Sequence, residues 1–186
     1  MDGADNTSSA TSSDPDGPED ILRQVAALPL RWIEGRCEVL LVTSRETRRW
    51  IIPKGWPMAA LKDRKAAALE AKQEAGVVGR VGRAPIGTFL YWKRRERHFD
   101  LVRVDVYPLA VERHLSRWKE KGQRDLRWFG LDEAARLVGE PGLATLVAGL
   151  ADVNLTSILA TAPTAETTPK SKSKAKTKGR KAGRTA

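Results

Sequence analysis

The chain has 186 residues, enough for one domain with a hydrophobic core. Hydrophobic residues make up 41% of it and charged residues 30%, which is typical of globular proteins and excludes collagen-like and low-complexity classes. No apolar run approaches the roughly 18 residues of a membrane helix, so we expect no membrane partner. The single cysteine, Cys37, excludes an internal disulfide. The acidic, Ser-rich N-terminus does not resemble a secretory signal, and the sequence therefore predicts a cytoplasmic location.

The net charge of +10 is distributed unevenly. Residues 1–20 carry a charge of −6 and residues 165–186 a charge of +7, which leaves +9 for residues 21–164. A basic central region favours a polyanionic partner, either a phosphorylated small molecule or a nucleic acid.

Composition divides the chain into three regions. Residues 1–19 contain almost no apolar side chains and predict a disordered acidic arm. Residues 20–160 contain the apolar segments and predict the globular domain. Residues 161–186 predict a disordered basic tail. The tail either makes weak contacts with nucleic acid phosphates or only adds solubility.

Three apolar segments before residue 53 predict strands, and they cover residues 21–32, 37–43 and 50–52. Pro29 lies inside the first segment. Because proline has no backbone N–H to donate to a sheet, it indicates a bulge or a sheet edge there.

A loop and a helix are predicted next. Two prolines and a glycine within residues 53–57 interrupt any regular element. Asp63 is predicted to cap a helix that ends near Ala75. Gly76 follows, where a helix C-terminus often requires positive φ.

Glu70, Gln73 and Glu74 are spaced so that they share one face of this helix. Two carboxylates and an amide oxygen beside a glycine-containing loop suit a hard divalent cation, which takes oxygen ligands. The alternative is a solvated helix face on which the two glutamates pair with neighbouring Lys and Arg. The spacing alone does not distinguish these interpretations.

The remaining elements alternate between strands and helices. Gly79 and Gly82 predict a bend, and residues 109–123 predict a polar connection. Strands are predicted over residues 86–92, 99–107 and 125–129. A helix begins near residue 131 with Asp132 as its cap, and a last helix covers residues 143–159. The predicted fold class is α/β, an α/β/α sandwich around a mixed β-sheet.

Residues 55–77 resemble a Nudix box, G-x5-E-x7-R-E-U-x-E-E-x-G-U, in which U is aliphatic. The matching residues are Gly55, Glu70, Glu74, Gly76 and Val77. Three positions differ, because Leu61 replaces the first Glu, Leu69 replaces the Arg, and Gln73 replaces the first Glu of the E-E pair. The preceding residues 50–56, WIIPKGW, are similar to the branch that hydrolyses diphosphoinositol polyphosphates and diadenosine polyphosphates.

The resemblance implies the Nudix fold and a metal-dependent pyrophosphohydrolase. It implies that Glu70 and Glu74 bind Mg²⁺, with Mn²⁺ as a substitute, and that the backbone near Lys54 and Gly55 adds a carbonyl ligand. The resemblance also places Gln73 at the position of a general base. A neutral amide cannot accept a proton, so this altered position predicts reduced activity.

Three explanations of Gln73 remain open. Another carboxylate acts as the base, with Glu120 or Glu112 as candidates; or a metal-bound water ionises unaided; or the domain binds a phosphorylated ligand or nucleic acid without hydrolysing it. Leu69 favours the last explanation, because the Arg it replaces normally pairs with the box carboxylates.

Basic side chains are expected to bind the substrate, since arginine binds phosphate with two hydrogen bonds. By resemblance the candidates are Arg23, Arg45, Arg95, Arg97, His98 and Arg124. Any single one is equally consistent with a solvated surface residue. The segment 93–97 has four basic residues in five, and a structural role gives no reason for that density.

Overall fold

The computed structural model describes residues 21–152. The predicted acidic arm, the basic tail and the end of the predicted last helix lie outside this range. Within it, an eight-stranded mixed sheet carries helices on both faces. The strands are β1 (Leu22–Ile33), β2 (Arg36–Thr43), β3 (Trp50–Ile51), β4 (Lys54–Gly55), β5 (Val77–Val81), β6 (Gly87–Arg94), β7 (Phe99–His114) and β8 (Leu126–Gly130).

Three α-helices complete the described range: α1 (Asp63–Glu70), α2 (Leu131–Leu137) and α3 (Pro141–Gly149). Helix α1 continues as a π-helical turn over Ala71–Ala75, and we call the combined residues 63–75 the box helix. No helix within residues 21–152 has the length and apolar character needed to cross a membrane.

The centre of the sheet is β1, which runs parallel to β7 and antiparallel to β2 and β4. Of the two predictions for Pro29, a bulge or a sheet edge, the sheet edge is therefore wrong. β1 pairs with β4 through Val25 and Ala26, and with β2 from Leu30 onwards. Pro29 lies between these two segments, where β1 changes partner, and a missing N–H is tolerated most easily at such a point.

Two hydrophobic cores lie on opposite faces of the sheet. On one face, the valines that alternate along β7 pack with Leu143 and Val147 of α3. On the other face, the box helix packs on the sheet through the buried alanines Ala66, Ala67, Ala71 and Ala75. These small side chains allow the helix to approach the strands closely. The arrangement confirms the predicted mixed sheet with helices on its two sides.

The predicted bend at Gly79 and the predicted polar connection after residue 109 are wrong in part. Gly79 lies in β5, which pairs with the second half of β7, and β7 runs on to His114. A Cβ at Gly79 would lie 1.8 Å from the carbonyl oxygen of Ala110. Glycine therefore marks a close approach between two backbones here, and not a turn.

Both predicted helix caps are displaced by one or two residues. Lys62 precedes α1 in extended conformation, while Asp63 is already helical and makes an ion pair with Arg23. Asp132 lies in the first turn of α2, after Gly130. The prediction for Gly76 is confirmed, since this residue ends the box helix with φ of +67°.

Candidate active site

Strand β4 lies directly against the end of α1. A Cβ on Gly55 would be 2.3 Å from Oε1 of Glu70, so this carboxylate occupies space that only a glycine leaves open. Burial raises the pKa of Glu70, and the nearby negative charge of Glu120 raises it further. Glu70 therefore lies where a positive charge would stabilise its ionised form.

Glu74 is the most enclosed of the box carboxylates, with 7% of its surface exposed. Its Oε2 accepts a hydrogen bond from the backbone N–H of Lys54 at 3.2 Å, and its Oε1 pairs with the guanidinium of Arg124. Burial raises the pKa of Glu74 to about 7, although the charges of Arg124 and Lys54 oppose this shift. β4 and Arg124 thus fix the two oxygens from different sides.

Arg124 comes from the connecting loop, residues 115–125, between β7 and β8. Its side chain is 5% exposed and also donates from Nε to Oε2 of Glu120 at 2.8 Å. Nη1 donates to the carbonyl oxygen of Thr43 at 2.9 Å. This placement does not favour the predicted substrate-binding role of Arg124, because its guanidinium is buried against the carboxylates of Glu74 and Glu120. The structure brings Glu120 into the same cluster as Glu74.

Gln73 joins the box helix to the connecting loop. Its side-chain Oε1 accepts a hydrogen bond from Nζ of Lys119 at 3.0 Å, and its backbone oxygen accepts one from the N–H of Glu120 at 3.0 Å. The side chain at the altered box position is therefore a hydrogen-bond acceptor for a lysine, and Glu120 follows directly in the chain.

The carboxylates of Glu70 and Glu74 are oxygen ligands of the type that a hard divalent cation binds. Among residues 21–152, no three acidic, His or Cys side chains form a ready-made metal centre. Glu70 and Glu74 would thus provide carboxylates, while water and substrate phosphate would complete the shell, as Mg²⁺ prefers. The glycine space filled by Glu70 and the fixed position of Glu74 against the Lys54 backbone agree with carboxylates arranged for a cation.

Most of the predicted phosphate-binding residues already have acidic partners. Arg23 pairs with Asp63 at 2.5 Å and donates to Asp105 at 2.8 Å. Arg95 and His98 both contact Asp100, at 2.5 Å and 2.9 Å, where the β6–β7 hairpin closes. Arg23 therefore links β1 to β7 and to the start of α1, while Arg95 and His98 are paired within the β6–β7 turn.

Arg45 and Arg97 are less constrained. Arg45 is 64% exposed, and its nearest acidic partner is Glu120 at 4.0 Å. Arg97 is exposed and makes no ion pair within residues 21–152. Among the predicted phosphate-binding residues, Arg45 is therefore both exposed and close to the cluster of Glu74 and Glu120.

Two lysines also lie at this site: Lys93, from the basic segment 93–97 already singled out, and Lys54, whose side chain was missed because only its backbone was predicted to act. Nζ of Lys54 lies 5.1 Å from the ring centre of Tyr91, and Nζ of Lys93 lies 4.8 Å from that of Trp56. Burial lowers the pKa of both lysines; the charge of Arg95 lowers that of Lys93 further, while the carboxylates of Glu74 and Glu140 oppose the shift at Lys54. The alternation along β6 was the available signal, because it places Lys93 on the same face as Tyr91.

Comparison with known proteins identifies the family, although no family model matches the chain. Diphosphoinositol polyphosphate phosphohydrolase 3-beta of Homo sapiens is 34% identical over 124 residues, which span 65% of this chain and 71% of that protein. Nudix hydrolase 4 of Arabidopsis thaliana is 32% identical over 97 residues, 52% of this chain and 45% of that protein.

A similar fold occurs in the binary complex of the C. elegans Ap4A hydrolase, with a TM-score of 0.54 and 19% identity. The match covers 72% of this chain and 100% of that one, and at this identity it supports the fold alone. Together with the sequence relatives, these findings show that the chain belongs to the Nudix hydrolase family.

Proposed function

We propose that this chain is a metal-dependent pyrophosphohydrolase that acts on a diphosphoinositol polyphosphate or a diadenosine polyphosphate. The observation that carries the proposal is the position of Glu70 and Glu74 against the Lys54–Gly55 backbone. Glu70 fills the space that Gly55 leaves open, and Glu74 accepts a hydrogen bond from the N–H of Lys54. The names of the relatives support the substrate class. The cytoplasmic location remains a prediction from sequence.

Glu70 and Glu74 would hold Mg²⁺ or Mn²⁺, and the Lys54–Gly55 backbone is the candidate source of a carbonyl ligand. When bound, such an ion polarises phosphate oxygens and lowers the pKa of a bound water. The protein restricts where the carboxylates lie, because Glu70 occupies a space beside β4 that a residue larger than Gly55 would fill.

Glu120 is the proposed general base. Its Oε2 is held by Arg124 at 2.8 Å, while the guanidinium of Arg45 lies 4.0 Å from its Oε1. Gln73 cannot accept a proton and would instead orient the connecting loop through Lys119. Glu112 is a weaker candidate, because it is 58% exposed and pairs with Arg80.

Substrate phosphates would bind the cations that border the carboxylates. Lys54, Lys93 and Arg45 are the leading candidates, because neither lysine makes an ion pair within residues 21–152 and Arg45 is 64% exposed beside Glu120. A bound polyanion would provide these cations with a negatively charged partner. Arg97, and the already paired Arg23, Arg95 and His98, are secondary candidates.

The second candidate function is a Nudix domain that binds a phosphorylated ligand or nucleic acid without hydrolysing it. Its specific support is Gln73, whose amide is hydrogen-bonded to Lys119. Loss of a general base typically costs about 10²–10⁴-fold in rate, which would leave binding intact.

Hydrolysis of a substrate panel tests both functions. The panel contains a diphosphoinositol polyphosphate, diadenosine polyphosphates, nucleoside triphosphates and a capped nucleotide, each with Mg²⁺ or Mn²⁺. Wild type is compared with Gln73→Glu, Glu120→Gln and, as the matched control, Glu112→Gln. Turnover by wild type that falls at least about 10²-fold in Glu120→Gln alone supports the hydrolase with Glu120 as base.

The other outcomes assign the alternatives. A large loss in Glu112→Gln but not in Glu120→Gln contradicts the choice of base. A silent wild type that gains activity as Gln73→Glu contradicts the hydrolase and supports the binding module, because the site then still holds metal and substrate.

A further inference from the structure

The box helix lacks the arginine that the Nudix pattern places before its first metal-binding glutamate. Leu69 occupies that position and carries no charge. Glu74 nevertheless has a guanidinium partner, supplied by Arg124 fifty residues further along the chain. The contact is enclosed, since both side chains are less than a tenth exposed.

Arg124 is held in place by several contacts. Its Nη1 donates to the carbonyl oxygen of Thr43 at 2.9 Å, and its Nε donates to Glu120 at 2.8 Å. The neighbouring Asp125 is fixed to the same strand end, because its N–H donates to Oγ1 of Thr43 at 2.9 Å and its carbonyl oxygen accepts from the N–H of Thr43 at 3.0 Å. The guanidinium therefore has a defined position relative to β2.

The contacts of Arg124 connect the two carboxylates that the proposed reaction needs. One nitrogen pairs with Glu74, a proposed metal ligand, and another pairs with Glu120, the proposed base. A planar guanidinium holds two such partners at a fixed separation, whereas a lysine provides a single charged point.

We propose that Arg124 is a positioning residue that replaces the missing box arginine at Leu69 and sets the relative position of Glu74 and Glu120. This inference rests on the proposed function, since it assigns those two carboxylates to metal binding and to catalysis. It reassigns Arg124 from phosphate binding to the support of the metal site, and it makes the altered box compatible with activity.

The test uses the full chain and four variants: Arg124→Leu, Arg124→Lys, Leu69→Arg and the double variant Arg124→Leu/Leu69→Arg. Arg117→Leu is the matched control, because Arg117 is an exposed residue of the same loop with no ion pair in the described range. Two properties are measured: Mn²⁺ affinity by electron paramagnetic resonance, and kcat and KM with a diphosphoinositol polyphosphate. Thermal melting identifies variants that are folded.

We expect Arg124→Leu and Arg124→Lys to weaken Mn²⁺ binding about 10-fold or more and to lower kcat about 10–100-fold, with KM changed little. Leu69→Arg should recover most of both losses in the double variant, since it returns an arginine to the position that the Nudix pattern gives it. Leu69→Arg alone and Arg117→Leu should remain close to wild type. If Arg124→Leu does not fold, Arg124→Lys and the double variant carry the test.

Three results would overturn the proposal. One is unchanged Mn²⁺ affinity and kcat in folded Arg124→Lys. Another is a raised KM with unchanged kcat, which would return Arg124 to phosphate binding. The third is no recovery in a folded double variant. A wild type without hydrolysis would contradict the proposed function alone, because the Mn²⁺ measurements still decide whether Arg124 organises the carboxylates.

Discussion

Individual residues at this site are constrained mainly by space. Gly55 leaves room for the carboxylate of Glu70, and the backbone N–H of Lys54, the residue before it, binds Glu74. A glycine at this position thus has a steric function that is independent of its backbone flexibility. The consequence is that a methyl group can disturb the site without disturbing the core.

Gly55→Ala tests that consequence. The added Cβ would lie 2.3 Å from Oε1 of Glu70, so the flexible side chain must move away while the backbones remain in place. We expect kcat to fall about 10²-fold, because small displacements of reacting groups have effects of that size. The melting temperature should change little, and circular dichroism with steady-state kinetics measures both.

Gly149→Ala is the matched control for that substitution. A Cβ at Gly149, at the end of α3, meets no atom within 4 Å. Its activity should equal that of wild type, and alanine should slightly stabilise the helix. Equal activity in Gly55→Ala and Gly149→Ala would show that the position of Glu70 is unimportant.

At the scale of elements, strand β5 illustrates what a close backbone contact contributes. β5 pairs with β7 along its whole length, with a shift in register between Val78 and Gly79, and the two backbones approach closely at Gly79. The same pairing begins directly after Gly76, the residue that ends the box helix. A disturbance of this pairing should therefore affect stability and not only the site.

Gly79→Ala should destabilise the protein by about 3 kcal/mol, as overpacking of backbone against backbone does. A Cβ there would lie 1.8 Å from the carbonyl oxygen of Ala110, and no side-chain rotation can relieve this contact. Urea denaturation of Gly79→Ala, compared with Gly149→Ala, measures the difference. A free energy of unfolding within 0.5 kcal/mol of wild type, the range typical of neutral surface substitutions, would argue against a rigid β5–β7 pairing.

The sequence predicted elements with strong local patterns and failed where distant partners decide the structure. Valine alternation located β7, and a glycine located the end of the box helix. Gly79 resembled a turn because its strand character depends on β7, about thirty residues away in sequence. Arg124 resembled a surface cation for the same reason, since its partner Glu74 is distant in the chain. The roles assigned to the site residues remain predictions.

At the scale of the whole molecule, the positive charge is divided between the domain and the tail, and we expect the two parts to act on different partners. Residues 21–164 carry +9, and residues 165–186 add +7. Screening limits charge effects to about 8 Å at physiological salt, so only cations near the carboxylates should act on a bound substrate. The tail should instead act on large polyanions, because several of its charges can contact one partner together.

Removal of residues 165–186 separates these effects. The net charge of the chain falls from +10 to +3. At physiological salt we expect kcat/KM for a small substrate to stay within about threefold of wild type, because of screening. Any binding of double-stranded DNA at low salt should be lost. Fluorescence anisotropy and kinetics at several salt concentrations measure both, and a large loss of kcat/KM would assign the tail to substrate recruitment.

The connecting loop has little regular structure, yet its backbone is tied to the end of the box helix. The N–H of Leu115 donates to the carbonyl oxygen of Gly76 at 2.7 Å, and the N–H of Glu120 donates to that of Gln73 at 3.0 Å. In hydrogen–deuterium exchange, these two amides should therefore be protected like those of a strand. Fast exchange at Glu120 would mean that the loop opens independently of the helix. Protection would mean that the proposed base and the metal ligands move as one unit, so that a homologue's loop cannot be grafted here without its helix.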